Sequence, residues 1–170
     1  MGKRVFLSLG SNQGNRVANL QWALGRLPGA GVRVERISSF YRTEPVDFLP
    51  QAWFINCVAE AETDLMPLQL LSAVETIERE IGRRAGPRFG PRRLDIDILF
   101  YENVIVRLTK LTIPHPRLPE RRFVLIPLAE LAPRLRHPGS QRTVLEMLAE
   151  TPDTSQVIRL KETVHPCEEQ

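Results

Sequence analysis

Apolar and polar positions alternate along this chain in two rhythms, one of strands and one of helices. Val5-Phe6-Leu7-Ser8-Leu9 is a short, nearly continuous apolar run of strand length. Gly10-Ser11-Asn12-Gln13-Gly14-Asn15 has loop chemistry, with Asn15 placed to cap a helix. Val17, Leu20, Leu24 and Leu27 then recur at helical spacing up to Pro28. The alternation of Val32, Val34 and Arg36, followed by Ile37 and Phe40, predicts one long strand from Val32 to Tyr41. Arg42 to Trp53, which carries Pro45 and Pro50, reads as a loop, and Phe54 to Glu62 as the next strand. Asp64 opens a helix with Pro67 in its first turn; Leu70, Val74, Ile77 and Ile81 form its buried stripe, and Gly82 ends it. Arg83 to Arg93 is a glycine- and arginine-rich loop, and Leu94 to Tyr101 a strand.

The order β-α-β-β-α-β predicts an α+β fold, a ferredoxin-like sandwich with extra C-terminal helices and a strand. The extra material is a Pro-rich connection (Pro114, Pro116, Pro119), helical pieces at Phe123–Ala132 and Thr143–Ala149, and a last strand at Val157–Leu160. With no internal repeat, low-complexity tract or linker, residues 1–170 read as a single domain, 161–170 being a flexible tail.

Composition narrows the class. The apolar share of 42% and charged share of 25% are ordinary for a globular protein, and no apolar run approaches the length of a membrane helix. The apolar stretch after Lys3-Arg4 is too short for a signal peptide, and two cysteines suit a reducing compartment, so the expectation is a cytoplasmic protein. Cys57, within an apolar strand, reads as a buried small hydrophobe, and Cys167 lies in the tail with too few neighbours for a metal site. The net charge of +3 is modest, but five arginines (Arg83, Arg84, Arg88, Arg92, Arg93) stand together with no acid among them. Asp95 and Asp97 follow at once. Such a patch wants an anion, and its shortness and neighbouring acids suit a polyphosphate with its metal better than a nucleic-acid track.

The sharpest chemical signal is Leu94-Asp95-Ile96-Asp97-Ile98-Leu99-Phe100. On a strand, Asp95 and Asp97 point the same way, about 6.6 Å apart at roughly 3.3 Å per residue, with Leu94, Ile96 and Ile98 on the opposite, apolar face. Two carboxylates side by side repel unless a cation sits between them, and their hard oxygens select Mg²⁺ carrying substrate phosphates. Taken alone, Asp-x-Asp is a weak pattern and reads first as a solvated strand face paired to arginines; the five arginines just before it shift the reading, because they supply the guanidinium donors that a triphosphate needs. No glycine phosphate loop of the G-x-x-x-x-G-K-[ST] or G-x-G-x-x-G kind is present; Gly10 to Asn15 comes nearest and lacks the lysine. The segment Arg83–Arg93 is read as a lid over the phosphates, with a plain surface turn as the alternative. His137 and His165, in polar Pro-flanked loops, read as exposed; His115 is placed either to donate to a phosphate or to serve the structure.

Phe89-Gly90-Pro91-Arg92-Arg93-Leu94-Asp95-Ile96-Asp97-Ile98-Leu99 resembles the signature of the 6-hydroxymethyl-7,8-dihydropterin pyrophosphokinases. Four further stretches match that family in order: Leu9-Gly10-Ser11-Asn12, Ser39-Phe40-Tyr41-Arg42-Thr43, Phe54-Ile55-Asn56 and Pro114-His115-Pro116-Arg117. The resemblance implies transfer of the β,γ-diphosphate of ATP to the pterin hydroxymethyl group with release of AMP, in folate synthesis. It implies that Asp95 and Asp97 hold two Mg²⁺ ions and that Arg83 and Arg92 grip the phosphates, with Arg84 and Arg88 assisting. Glu75, Glu78, Ile98, Lys110, Thr112, His115 and Arg121 fall at nucleotide-contact positions. The pterin would stack between Phe54 and Phe123, and Asn56 with backbone around Thr43 and Val46 would read its polar edge. The chain departs from the family at Phe89, where Trp is usual, and at Arg93, Glu75 and Phe54. The partners implied are ATP and the pterin for a monofunctional monomer, with neither nucleic acid nor membrane. Two rivals are a two-metal nucleotidyl transferase or cyclase on a similar sheet, and an RNA-binding module, which would need exposed aromatics that a 6% aromatic content does not offer.

Overall fold

The computed structural model of the chain describes residues 2–46, 50–82 and 93–161. Its centre is strand β1 (Lys3–Ser11), buried from Val5 onward because both its edges and both its faces are covered. On one side β1 pairs antiparallel with β5 (Asp95–Tyr101), and on the other with β4 (Phe54–Thr63). The far side of β4 is shared by β2 (Val32–Ile37), opposite its C-terminal half, and β3 (Tyr41–Thr43), opposite its start. A last strand, β8 (Val157–Arg159), adds to β3 at the sheet edge. Every pairing in the sheet is antiparallel.

Period-2 alternation sends β1's side chains to two separate cores. Val5, Leu7 and Leu9 meet Ile55, Cys57, Ala59 and Ala61 of β4 and the apolar stripes of α1 (Arg16–Arg26) and α2 (Pro67–Glu80). Phe6, together with Val58, packs on the opposite face against Val124, Leu125 and Leu128 of α3 (Arg122–Leu131) and Val144 and Met147 of α4 (Val144–Glu150). Asn15 caps α1 as its position suggests, its Oδ1 accepting from Ala18 N–H at 3.1 Å.

Four sequence expectations are corrected. Gly10 and Ser11 belong to β1 rather than to a loop, because β4 and β5 supply partners that extend the ladder. The long strand expected over Val32–Tyr41 is two: the β2 register shifts between Val34 and Arg36, and Ser38–Phe40 falls outside both strands. Arg42 and Thr43, read as loop, are therefore in β3. The helix expected from Asp64 begins at Pro67, where Met66 N–H finds the Gln69 Oε1 acceptor at 2.9 Å. The Pro-rich connection also hides a small hairpin, β6 (Val106–Arg107) with β7 (Thr112–Ile113), which period-2 reading misses because each strand is two residues long.

Candidate active site

Asp95 and Asp97 are half-buried, while Leu94, Ile96 and Ile98 fill the core on the other face, as the alternation requires. The acid face is the one that carries α3. Directly across the ladder, Asp95 sits opposite Gly10, and Gly10 in turn sits opposite Asn56 of β4. At about 4.8 Å per strand, the backbones of Asp95 and Asn56 lie roughly 9.6 Å apart on one face. Gly10 makes that row possible, since a Cβ built there would collide with Asn56 Oδ1 and stand 3.6 Å from the Phe54 ring. The buried Asn56 amide donates from Nδ2 to Thr43 Oγ1 at 2.5 Å. Thr43 pairs opposite Phe54, so Thr43, Phe54 and Asn56 form one end of the row.

A β-bulge builds the other end. Between Phe6 and Leu7 the β1–β5 register shifts, leaving Leu99 as the extra residue. Leu99 and Phe100 both enter the α3-side core, and the Leu99 carbonyl accepts from His115 N–H at 3.1 Å. That bond brings the imidazole to the acid strand. His115 Nδ1 accepts from Arg117 N–H at 3.2 Å, which places the proton of the neutral ring on Nε2, 3.9 Å from Asp97 Oδ2. Burial, then repulsion by Arg121 and Arg117, depresses the His115 pKa to about 4, so the ring is neutral at physiological pH. Arg121, whose side chain is only 12% exposed, brings Nη1 to 3.6 Å from the same Asp97 oxygen. Its Cζ also lies 5.5 Å from the centroid of Phe123. Asp97, His115, Arg121 and Phe123 thus form one cluster.

The remaining expected residues divide. Glu78 is buried, and its Oε2 lies 3.4 Å from the Ile96 amide; Glu75, one turn earlier, is half-buried. Ile98 has its side chain in the core, so only its backbone can meet a ligand. Lys110 and Thr112 stand exposed on the β6–β7 hairpin, and Val46 is half-buried beyond Thr43. Arg83, Arg84, Arg88 and Arg92, with Phe89, lie outside the described residues, as does the tail with His165 and Cys167. Arg93 is described: its Nη1 donates to the Ile81 carbonyl at 3.3 Å. His137, expected to be exposed, is half-buried against Phe100, ring centroids 6.3 Å apart, and its Nδ1 accepts from the Gly139 and Ser140 amides. Sequence reading missed Gly10 as a spacing element, although the motif around it was in view.

The donor set fits a hard divalent cation in part. Two carboxylates share a face, but among the described residues no three His, Cys, Asp or Glu side chains gather to hold a metal. An ion there would complete its shell with water and ligand oxygens, which is the habit of Mg²⁺.

An antiparallel sheet with helices on both faces, and an acid, guanidinium and imidazole cluster on one of them, defines the molecule as a mixed α/β protein with a charged cluster on its sheet. The sequence pattern of the 7,8-dihydro-6-hydroxymethylpterin-pyrophosphokinase family matches residues 6–133, and the chain belongs to that family. It is 37% identical over 146 residues to the 2-amino-4-hydroxy-6-hydroxymethyldihydropteridine pyrophosphokinase of Aquifex aeolicus, covering 86% of this chain and 91% of that one. The enzyme of the same name from Methylorubrum extorquens is 44% identical over 147 residues, covering 86% and 92%. A mitochondrial folate synthesis bifunctional protein of Arabidopsis thaliana is 48% identical over 127 residues, 75% of this chain but 23% of that protein. This chain thus spans about a quarter of such bifunctional relatives and nearly all of the shorter ones. Among solved structures, Plasmodium falciparum HPPK-DHPS superposes with a TM-score of 0.72 at 16% identity, over 88% of this chain and 43% of that one, a likeness of fold.

Proposed function

We propose that this chain transfers the β,γ-diphosphate of ATP to the hydroxymethyl oxygen of 6-hydroxymethyl-7,8-dihydropterin, releasing AMP, as a step of folate synthesis. The observation that carries the reading is the row Asp95–Gly10–Asn56, which sets a metal-type acid pair and a buried amide on one sheet face at the spacing of two strands. The match of the family over residues 6–133 supports it. The strand order β5-β1-β4-β3, with β2 also on β4, supports the ferredoxin-like form of the fold.

In this reading Phe54 and Phe123 stack on the pterin faces, and Asn56, fixed by Thr43, offers its Oδ1 to the ring edge, with backbone near Thr43 and Val46. Asp95 and Asp97 hold two Mg²⁺ ions, which supply charge neutralisation to the transferring phosphates. Arg121, beside Asp97, meets phosphate oxygens, and His115 presents an N–H donor without adding positive charge. Glu75, Glu78, Ile98, Lys110 and Thr112 meet the nucleotide, and Arg83, Arg84, Arg88 and Arg92 supply guanidinium donors to its phosphates. The hydroxymethyl oxygen attacks the β-phosphorus, its proton leaves to solvent, and the bond from the β-phosphorus to the AMP oxygen breaks. The cytoplasm belongs to the same proposal; the fully buried thiol of Cys57 is consistent with a reducing compartment.

The test is to incubate the protein with Mg-ATP and hydroxymethyl-dihydropterin and to separate the nucleotide products. AMP formed in step with pterin diphosphate is the expected result. ADP would mean single phosphoryl transfer, and pyrophosphate would mean nucleotidyl transfer. Asp97→Ala should lower kcat by about a thousandfold while the far-UV spectrum is kept, since metal stabilisation of the transition state is worth several kcal/mol at roughly 1.4 kcal/mol per tenfold.

A further inference from the structure

The family match ends at residue 133, yet the chain returns to the site after it. Helix α3 begins with Arg121 as its cap position, and the Arg121 side chain does not cap the helix. Asp153, more than thirty residues downstream, supplies the missing acceptor: its Oδ2 takes the Arg122 N–H at 2.8 Å, and its Oδ1 takes the Ser155 N–H at 2.9 Å. Arg122 Nη1 donates back to the Ser155 carbonyl at 2.9 Å. A negative charge at a helix N-terminus is also favoured by the helix dipole.

The next residue ties the same segment to the opposite wall. Gln156 N–H donates to Glu44 Oε1 at 3.0 Å, and Glu44 N–H donates to the Gln156 carbonyl at 3.1 Å. From there β8 pairs with β3, with Val157 opposite Thr43. One short stretch is therefore bonded at one end to the residue beside Phe123 and at the other to the residue beside Thr43. These two flank the proposed pterin cleft from α3 and from the sheet.

We propose that Asp153–Gln156 is a brace that fixes the spacing between the Phe123 wall and the Thr43–Asn56 wall, with Asp153 and Glu44 as positioning residues for the pterin. The proposal rests on the functional reading above. Stacking of a flat ring between two faces tolerates little change in their separation, so a brace at this place acts on pterin affinity before it acts on the chemical step. Asp153→Ala removes both carboxylate acceptors. Asp153→Asn keeps one oxygen, enough for the Arg122 amide. Glu44→Ala removes the acceptor at the other end and leaves the backbone bond to Gln156 in place.

The experiment is steady-state kinetics of the full chain and the three variants, with KM for the pterin and for ATP, kcat, and the thermal midpoint. Asp153→Ala and Glu44→Ala should each raise the pterin KM about three- to tenfold, the scale of a weakened hydrogen-bonded contact. kcat should stay within about twofold, and Asp153→Asn should recover most of the affinity. Lower thermal midpoints with the pterin KM unchanged in both alanine variants would reduce the segment to plain structural support and overturn the proposal. If Asp153→Ala does not fold, Glu44→Ala and Asp153→Asn decide the matter, and an unchanged pterin KM in Glu44→Ala overturns it. A wild-type chain that forms no AMP would overturn the functional reading first, a result distinct from an active chain with indifferent variants.

Discussion

At the residue scale, the site depends on one atom that is absent. Gly10 lies in the middle of the sheet, where a side chain would ordinarily add packing; here it would occupy the space of Asn56 Oδ1. Gly10→Ala should cost about 1–3 kcal/mol in stability, as overpacking does, and should weaken pterin binding more than ATP binding. Denaturant unfolding with parallel binding titrations would check this, and an unperturbed variant would mean that Asn56 moves aside freely. His115 is the other decisive residue. Its folded pKa of about 4 lies below the ordinary 6.5, so the unfolded chain takes up the proton more readily. The stability contributed by the neutral ring is full above about pH 6.5 and is lost as pH falls toward 4. In metal-free protein, the His115 ring proton followed by NMR should show no titration step between about pH 5.5 and 8. A midpoint near 6.5 would contradict the burial that the structure gives it.

At the element scale, the β5 bulge and helix α3 do the positioning. The extra residue Leu99 flips the alternation, so that Phe100 joins the α3-side core and Tyr101 the other one, while the Leu99 carbonyl anchors His115. Helix α3 is held to the sheet by Glu130, whose Oε2 accepts from Ser39 N–H at 2.5 Å and whose Oε1 accepts from the Tyr41 hydroxyl at 3.0 Å. Burial, with help from Glu130, pushes the Tyr41 phenol up to about 12. Arg159 of β8 approaches the same carboxylate at 3.7 Å. Glu130→Ala leaves an amide and a phenol without their acceptor, and should destabilise the fold by about 1–3 kcal/mol in urea unfolding. The local pattern could place α3 but not this anchor, because Ser39 and Glu130 stand far apart in sequence and meet only where α3 packs on the sheet face.

At the scale of the whole molecule, one sheet separates two cores, and the Asp95–Asp97 cluster of the candidate site lies on the face covered by α3 and α4. Cys57 sits in the other core with no exposed surface, and burial raises its thiol pKa. In a Cys167→Ser background, labelling of Cys57 by a thiol reagent should therefore be limited by unfolding, and should speed up with added denaturant in proportion to the open population. Rapid labelling in native buffer would show that the α1–α2 side opens locally. The described residues contain no helix long and apolar enough to cross a membrane.

Much of this was legible in the sequence because it is local. Spacing of apolar residues gave α1, α2, β1, β4 and β5, and Asp-x-Asp on a strand set both acids on one face, since strand geometry alone requires it. Which residues stand beside those acids was decided by pairing at long range. Gly10 joins Asp95 to Asn56 only through two antiparallel registers. His115 reaches Asp97 only through a bulge, and Asp153 reaches α3 only because the chain folds back. Side-chain periodicity is a property of a few consecutive residues, whereas register and return paths are set by the burial of both sheet faces at once.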